Sequence, residues 1–264
     1  MDQKSTTTRE ASGSAKALTK GIALVEMLAG QPRGLRLADV IRTAGVPKAT
    51  ALRLLDALTG AGLVRCDDAG RYRLGPQCAV WGSAFIDHLD LRTEAHDLLA
   101  GLAEASGETA HLGIADGIRI LYIDKIDSPH SLRMFSRVGA TNPMYCTALG
   151  KAILAHAEPA TVDEVIAAGL ARRTDNTITD AESLRAELAR VRRQGHAVDD
   201  VENEEGVRCA GAPVFDHHGR VAAALSVAGP VTRMTRERMT MLAPRLAEAA
   251  RTLSQRLGHH PPAP

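Results

Sequence analysis

The chain has 264 residues, 24% charged and 45% apolar, proportions of a folded globular protein with room for one or two cores and not of a disordered chain. No run approaches the roughly 18 apolar residues of a membrane span, and the polar opening MDQKSTTTREASGSA lacks the apolar stretch of a secretory signal, so a cytoplasmic protein is expected. The formal net charge of +1 hides an asymmetry: residues 1–85 carry 12 basic against 7 acidic side chains, a surplus of +5, and the remainder sums to −4. A basic first third joined to an acidic remainder is expected of a nucleic-acid module carrying something else. Cys66, Cys78, Cys146 and Cys209 form no C-x-x-C pair, and the ten histidines contain no H-E-x-x-H. Four reduced thiols, no metal and no cofactor are therefore expected. His217-His218 beside Gly219 read as a solvated turn.

Residues 1–13 are polar and expected to be disordered. Leu18, Ile22, Val25 and Leu28 then fall on one helical stripe. Leu37, Val40, Ile41 and Ala44 make a second, short helix, followed by Gly45 and by Pro47, a residue suited to a first helical turn. In the third helix Ala51, Leu54, Leu55 and Leu58 face one way, and Ala49, Thr50, Arg53 and Asp56 the other. Two short helices joined through a glycine-containing turn form a helix-turn-helix, whose second helix enters the major groove and reads bases with its N-terminal residues. Lys48, Thr50 and Arg53 are the candidate contacts. Segments 63–66 and 71–74 flank the turn-rich Asp67-Asp68-Ala69-Gly70, so a hairpin, the wing of a winged helix, follows directly. Arg71 and Arg73 alternate with Tyr72 and Leu74 and are expected to face outward, toward phosphate or minor groove.

Residues 76–91, with the only Trp, read as a packed linker helix, and Glu94–Ser106 as another helix closed by Gly107. Thr109–Ala115 and Ile118–Ile126 read as strands meeting at Asp116-Gly117, with Ser131–Val138 as a third. A helix is expected from about Thr147 to Ala157, and capping boxes at Thr161-x-x-Glu164 and Thr179-x-x-Glu182. Val207–Phe215 and Arg220–Ala228 form a last hairpin. A final helix, Arg236–Leu257, contains Pro244, where a bend is expected. Hairpins with segregated helices describe an α+β domain with an antiparallel sheet, one face of which is a natural small-ligand pocket. The expected organisation is a winged helix-turn-helix domain over 14–76, a linker helix over 77–91, a ligand domain over 92–258 and a disordered tail over 259–264.

Gly34-Leu35-Arg36-Leu37-Ala38-Asp39, Gly45-Val46-Pro47-Lys48, Arg53-Leu54-Leu55 and Gly70-Arg71-Tyr72-Arg73-Leu74-Gly75 strongly resemble the DNA-binding domain of the IclR family of bacterial transcription regulators. Ala49 departs from it, standing where the family commonly has Ser. The resemblance continues through the blocks 143–152, 199–209 and 225–230, and covers about residues 14–258. It implies a GAF-like effector-binding domain, double-stranded operator DNA (pseudo-palindromic) as partner, and a homodimer or tetramer.

Thr147 is a good N-cap, which leaves the backbone N–H groups of Ala148 and Leu149 without helical acceptors, a ready site for a carboxylate. By resemblance, a small organic acid binds at this helix end. Asp199, Cys209 and Ser226 then complete the polar lining, with Met134 and Asn142 nearby. Lys151 reads as solvated or salt-bridged. Beside a bound carboxylate, Asp199 is protonated, accepts a ligand hydroxyl, or is bridged by water. Three functions stand open: a ligand-responsive DNA-binding regulator, a sensor whose output is protein contact, and an enzyme with Cys209 as nucleophile and His217 or His218 as base. No catalytic residue is assigned.

Overall fold

The computed structural model describes residues 4–87, 90–131 and 136–260, and the chain divides into two compact units, 1–89 and 90–264. The first holds α1 (Lys4–Ala29), β1 (Leu35–Arg36), α2 (Leu37–Ala44), α3 (Lys48–Gly60), β2 (Val64–Cys66), β3 (Arg71–Leu74) and α4 (Gln77–Asp87). Leu24, Leu28, Val40, Leu54, Leu55 and Val64 form its core. The α2–α3 turn runs through Gly45 in the left-handed region, its N–H donating to Ile41 O. The wing is three-stranded, in the order β1-β3-β2, since Leu35-Arg36 pairs with Tyr72 and Arg71.

Three expectations for this unit need correction. Residues 4–13, expected to be disordered, are the first turns of α1; no proline interrupts them and the helix runs on into the core. Leu18 and Ile22 do not share the buried stripe: they are 67% and 51% exposed, while Leu24 and Leu28 are buried. Leu18, Ile22 and Val25 compete with Leu24, Met27 and Leu28, so α1 has more apolar residues than one face can bury, and periodicity alone selects no face. In α4, Val80 and Trp81 are each 58% exposed, not packed.

The second unit comprises α5 (Leu91–Ser106), β4 (Thr109–Asp116), β5 (Arg119–Ile126), β6 (Thr141–Pro143), α6 (Ala148–Leu154), α7 (Pro159–Ala167), α8 (Ala181–Gln194), β7 (Ala197–Asp200), β8 (Val207–Phe215), β9 (Val221–Pro230) and α9 (Arg236–Arg256). Its strands form one antiparallel sheet in the order β6-β5-β4-β9-β8-β7. Gly113 and Gly211 face α6, which packs against five strands and α8. The alternate residues Ala110, Leu112, Ala212, Val214, Leu225 and Val227 are equally buried, so the opposite face is covered as well. The helices α5 and α9 pack there, against each other and the sheet.

Of the expected strand at Ser131–Val138, the described residues Ser131 and 136–138 are not strand, and the next strand is β6. Hydrogen bonds from Gly139 N to Tyr122 O and from Tyr122 N to Ala140 O turn the chain onto β5 only at that point; residues 132–135 lie outside the described set. Thr161 does not cap α7, because Pro159 takes the first helical position and Glu158 the cap, a place that suits proline's fixed φ and missing N–H. Asp180, not Thr179, caps α8, accepting from Ser183 N at 2.8 Å. His259, expected in a disordered tail, is anchored: its N–H donates to Ser254 O and its ring lies 5.3 Å from that of Phe215.

Candidate functional site

In the first unit α3 buries Ala51, Leu54 and Leu55 and turns Lys48, Ala49 and Arg53 to solvent, with Thr50 half-buried. The N–H groups of Thr50 and Ala51 both reach back to Pro47 O, which starts the helix at Lys48. At the wing tip Asp67 Oδ1 accepts from Arg71 N (2.9 Å) and Ala69 N (3.1 Å). These bonds, Arg71's first, hold the carboxyl below its usual range. Tyr72 and Leu74 pack on the core, which leaves Arg71 and Arg73 on the outer face. Arg73 is less free than the alternation implies: it is half-buried, its guanidinium meets Asp67 Oδ2 at 3.0 Å, and its Nε has no partner among the described residues.

The second unit holds a closed polar cavity under the start of α6. Strand pairing sets His111 opposite Ser226 and Asp199 opposite Cys209, all on the α6 side of the sheet. Helix and sheet meet closely at Gly211, where a Cβ would lie 2.7 Å from Ala148 O, and the segment leading into α6 folds back on the helix at Gly150, where a Cβ would lie 2.2 Å from Met144 O. Thr147 caps α6, accepting from Gly150 N at 3.1 Å and donating to Pro143 O at 2.9 Å. The N–H groups of Ala148 and Leu149, first in the helix, have no acceptor within it. Of the seven residues proposed from sequence, Ala148, Leu149, Asp199, Cys209 and Ser226 line this cavity, together with His111, Tyr122, Thr147, Asn203 and Ala228. Asn142 does not line it; its Nδ2 donates to Tyr122 Oη at 3.2 Å, one residue removed. Met134 lies outside the described residues. The free volume is about 10 Å³, room for about one water.

Burial governs the chemistry here. Asp199 is pushed up to about 7 by desolvation, although it accepts from Glu202 N (2.7 Å) and Asn203 N (3.3 Å). His111 is driven down to about 4 by desolvation and by Lys125, so its imidazole is neutral at pH 7. Tyr122 rises to about 12, again by burial. Burial, then Asp199, raises the Cys209 thiol well above its ordinary value, the reverse of what a nucleophilic thiolate needs. His217 and His218 lie beyond the end of β8, in the exposed turn toward β9. Among the described residues no three His, Cys, Asp or Glu side chains group to hold a metal.

The segment after Asp199 is pinned from outside. The carbonyls of Asp200, Val201, Glu202 and Asn203 accept, in turn, from Asn176 Nδ2 (2.9 Å), Thr174 Oγ1 (2.5 Å), Thr177 Oγ1 (2.7 Å) and Arg173 Nε (2.9 Å). Within it Val201 has φ 62°, the only non-glycine in the left-handed region among the described residues. Lys151 is wholly buried, not solvated, and pairs with Glu202 and, at 3.3 Å, Glu187. A larger groove, about 770 Å³, adjoins Glu187, Arg190, Asp200 and Arg236, but those side chains are tied up in pairs with one another.

Residues 17–68 match the IclR helix-turn-helix domain and residues 83–255 match the model described as bacterial transcriptional regulator IclR, C-terminal. The chain belongs to the IclR family. It is thus an IclR-type DNA-binding transcriptional regulator. It is 34% identical over 247 residues to the HTH-type transcriptional regulator BhcR of Paracoccus denitrificans, covering 93% of this chain and 88% of that one. It is 36% identical over 233 residues to KdgR of Escherichia coli, covering 88% and 89%. Among solved structures, an IclR transcriptional regulator from Silicibacter sp. TM1040 superposes with a TM-score of 0.83 at 32% identity, and the Agobacterium tumefaciens repressor BlcR with 0.79 at 28%. Each covers 93% of this chain and 98% of its own. The α+β architecture expected from sequence, an N-terminal helix-turn-helix and a C-terminal antiparallel-sheet domain with helices, is the one observed. Among the described residues no helix is long and apolar enough to cross a membrane.

His111, Tyr122 and Asn203 were missed as cavity residues. His111 and Tyr122 sit on strands whose register is invisible until the sheet is paired. Asn203 lies within the IclR-like block 199–209, but nothing in sequence separates it from its polar neighbours.

Proposed function

We propose that this IclR-family regulator binds a small organic acid in the closed cavity and that the acid modulates operator binding. The supporting observation is the convergence of two N–H groups without helical acceptors at the start of α6 with Asp199, Ser226 and Tyr122 in a buried space. The carboxylate meets Ala148 and Leu149 N–H, and Asp199 accepts a ligand hydroxyl or carries a proton beside the anion. The cavity holds about one water, so the ligand enters by opening it. The two conformations then have different affinities for the acid, which is the condition for any shift in DNA binding.

Lys48, Thr50 and Arg53 read the major groove, and Arg71 and Arg73 position the wing. Half-site recognition calls for at least a dimer. The exposed Leu18, Ile22, Val80 and Trp81 on α1 and α4 are apolar surface that a second copy would cover. The chain acts where DNA is, in the cytoplasm, and is not an enzyme: burial and the neighbouring Asp199 raise the Cys209 thiol, which keeps it protonated and not nucleophilic. The test is a thermal-shift screen of small aliphatic and hydroxyaromatic acids, followed by gel shift on the chain's own upstream DNA with and without the hit. An acid that raises Tm and changes the retarded fraction supports the reading. No hit among the acids, or no preference for upstream over random DNA, overturns it.

A further inference from the structure

Strand register stacks four arginines on one side of the wing. Leu35 on β1, Val64 on β2 and Tyr72 and Leu74 on β3 face the core, so the residues that alternate with them face outward. Pairing sets Arg36 directly opposite Arg71 and Arg65 directly opposite Arg73. Arg36 and Arg65 are exposed, Arg71 and Arg73 half-buried. Gly34 leaves room for this packing: a Cβ there would lie 2.7 Å from Arg73 Cγ. Among the described residues the one carboxylate paired with any of the four is Asp67, 3.0 Å from Arg73. The arrangement works against the fold, because like charges directly opposite on a sheet repel. Arg36 is doubly unfavourable. It is the N-cap of α2, where its side chain makes no capping bond and a cation meets the positive end of the helix dipole. Local rules broken without gain to the fold mark functional positions.

We propose that the outer face of the wing sheet is a phosphate-binding surface in its own right, on which Arg36 and Arg65 join Arg71 in holding the backbone of duplex DNA, apart from the bases read by α3. This rests on the DNA-binding reading above. Four arginines less the one carboxylate of Asp67 leave the face at +3. Three adjacent strands span about 10 Å, a length over which duplex DNA carries about six charges. A polyanion of that density removes the repulsion that the bare face suffers. Phosphate contacts carry no base information, so the face adds affinity for operator and random DNA alike.

The test is fluorescence anisotropy of the full chain on its own upstream duplex and on a random duplex over a salt series, with thermal melts alongside. Arg36→Gln and Arg65→Gln are each expected to reduce the slope of log K against log salt by about 0.9, and the two together by about 1.8, on both duplexes. The melting temperature is expected to hold or rise in the same variants, because repulsion is relieved; an arginine kept for the fold would lower it. Arg65→Lys, which keeps the charge, is expected to recover most of the slope lost in Arg65→Gln. Arg172→Gln, which removes one charge from an exposed position in the second unit, is expected to keep the wild-type slope. A double variant with an unchanged slope, a loss that comes with a lower melting temperature, a loss confined to the upstream duplex, or an equal loss in Arg172→Gln overturns the inference while DNA binding stands. A wild-type chain that binds neither duplex at low salt overturns both the inference and the reading it rests on.

Discussion

The Asp199 carboxylate accepts the backbone N–H of Glu202 at 2.7 Å, and the turn this bond closes puts Val201 between them at φ 62°. A β-branched residue in the left-handed region costs on the order of 1–2 kcal/mol, and four side chains from 173–177 hold the segment there. Val201→Asn, which tolerates that region, is expected to raise Tm by a few degrees, about 1 kcal/mol. Asp199→Ala, which strips the acceptor from two buried N–H groups, is expected to lower stability by about 1–3 kcal/mol. Differential scanning calorimetry of the two variants checks both signs.

The same cavity holds two buried groups with opposite pH linkage. Asp199 rises to about 7, so the folded state binds more protons than the unfolded between about 4 and 7, and its contribution to stability falls as pH rises through that window. His111 drops to about 4, so the unfolded state binds more protons between about 4 and 6.5, and stability is lost as pH falls through it. In wild type the two slopes largely cancel below pH 6.5. Asp199→Asn is expected to expose the histidine slope, with stability rising from pH 4.5 to 6.5. His111→Phe is expected to expose the aspartate slope, with stability falling over the same range. Denaturant midpoints across pH read both; parallel profiles for the two variants would refute the assignment.

Lys151 is the largest wholly buried charge, and Glu202 Oε2 beside it has no partner among the described residues. Removing one member of such a pair strands the other. Lys151→Met is expected to cost about 3–5 kcal/mol by equilibrium denaturation, and Lys151→Met with Glu202→Leu to recover most of that. An additive double variant would mean the two charges are not coupled.

The winged-helix unit was legible in sequence because its signals are local: Gly45 between two amphipathic helices, and Asp67 through Gly70 between alternating strands. The cavity was legible where local chemistry marked it, as Thr147 marks a helix start, and where the family resemblance named lining residues, Asp199, Cys209 and Ser226. The strand that carries Asp199, Ala197–Asp200, is four residues long and half acidic, too short to announce itself, so Asp199 was named without the element that positions it. His111 faces the cavity through pairing with Ser226, 115 positions along the chain. The misread face of α1 has a similar cause: Leu18 and Ile22 look like core until tertiary contacts choose Leu24 and Leu28.

The wing and the recognition helix make separable predictions. Arg71 and Arg73, if they contact phosphate, add affinity without sequence information, so replacing either with Ala should weaken specific and random DNA alike and reduce the slope of log K against log salt by about 0.9. Arg73→Ala should show less of this than Arg71→Ala, because Asp67 already holds the Arg73 guanidinium at 3.0 Å. Arg53→Ala, on the solvent face of α3, should instead cost about 1–3 kcal/mol on the operator and little on random DNA. Fluorescence anisotropy over a salt series separates the two. An Arg53 variant that weakens both DNAs equally would move that residue from base reading to backbone positioning.

Trp81 is the only tryptophan and is 58% exposed in the single chain, so its emission reports whether α4 is covered. If a second copy covers Leu18, Ile22, Val80 and Trp81, emission should lie to the blue of a solvated indole at micromolar chain. It should move red on dilution, in step with the dimer fraction from sedimentation. Ile22→Glu, exposed in the single chain and so of small cost to the fold, should produce the red-shifted spectrum without dilution and abolish operator binding, since one half-site alone binds weakly. The effector unit should keep its melting transition in that variant. A blue spectrum that survives both dilution and Ile22→Glu would show that Trp81 is covered by its own chain, and the α1–α4 surface would then not be where copies meet.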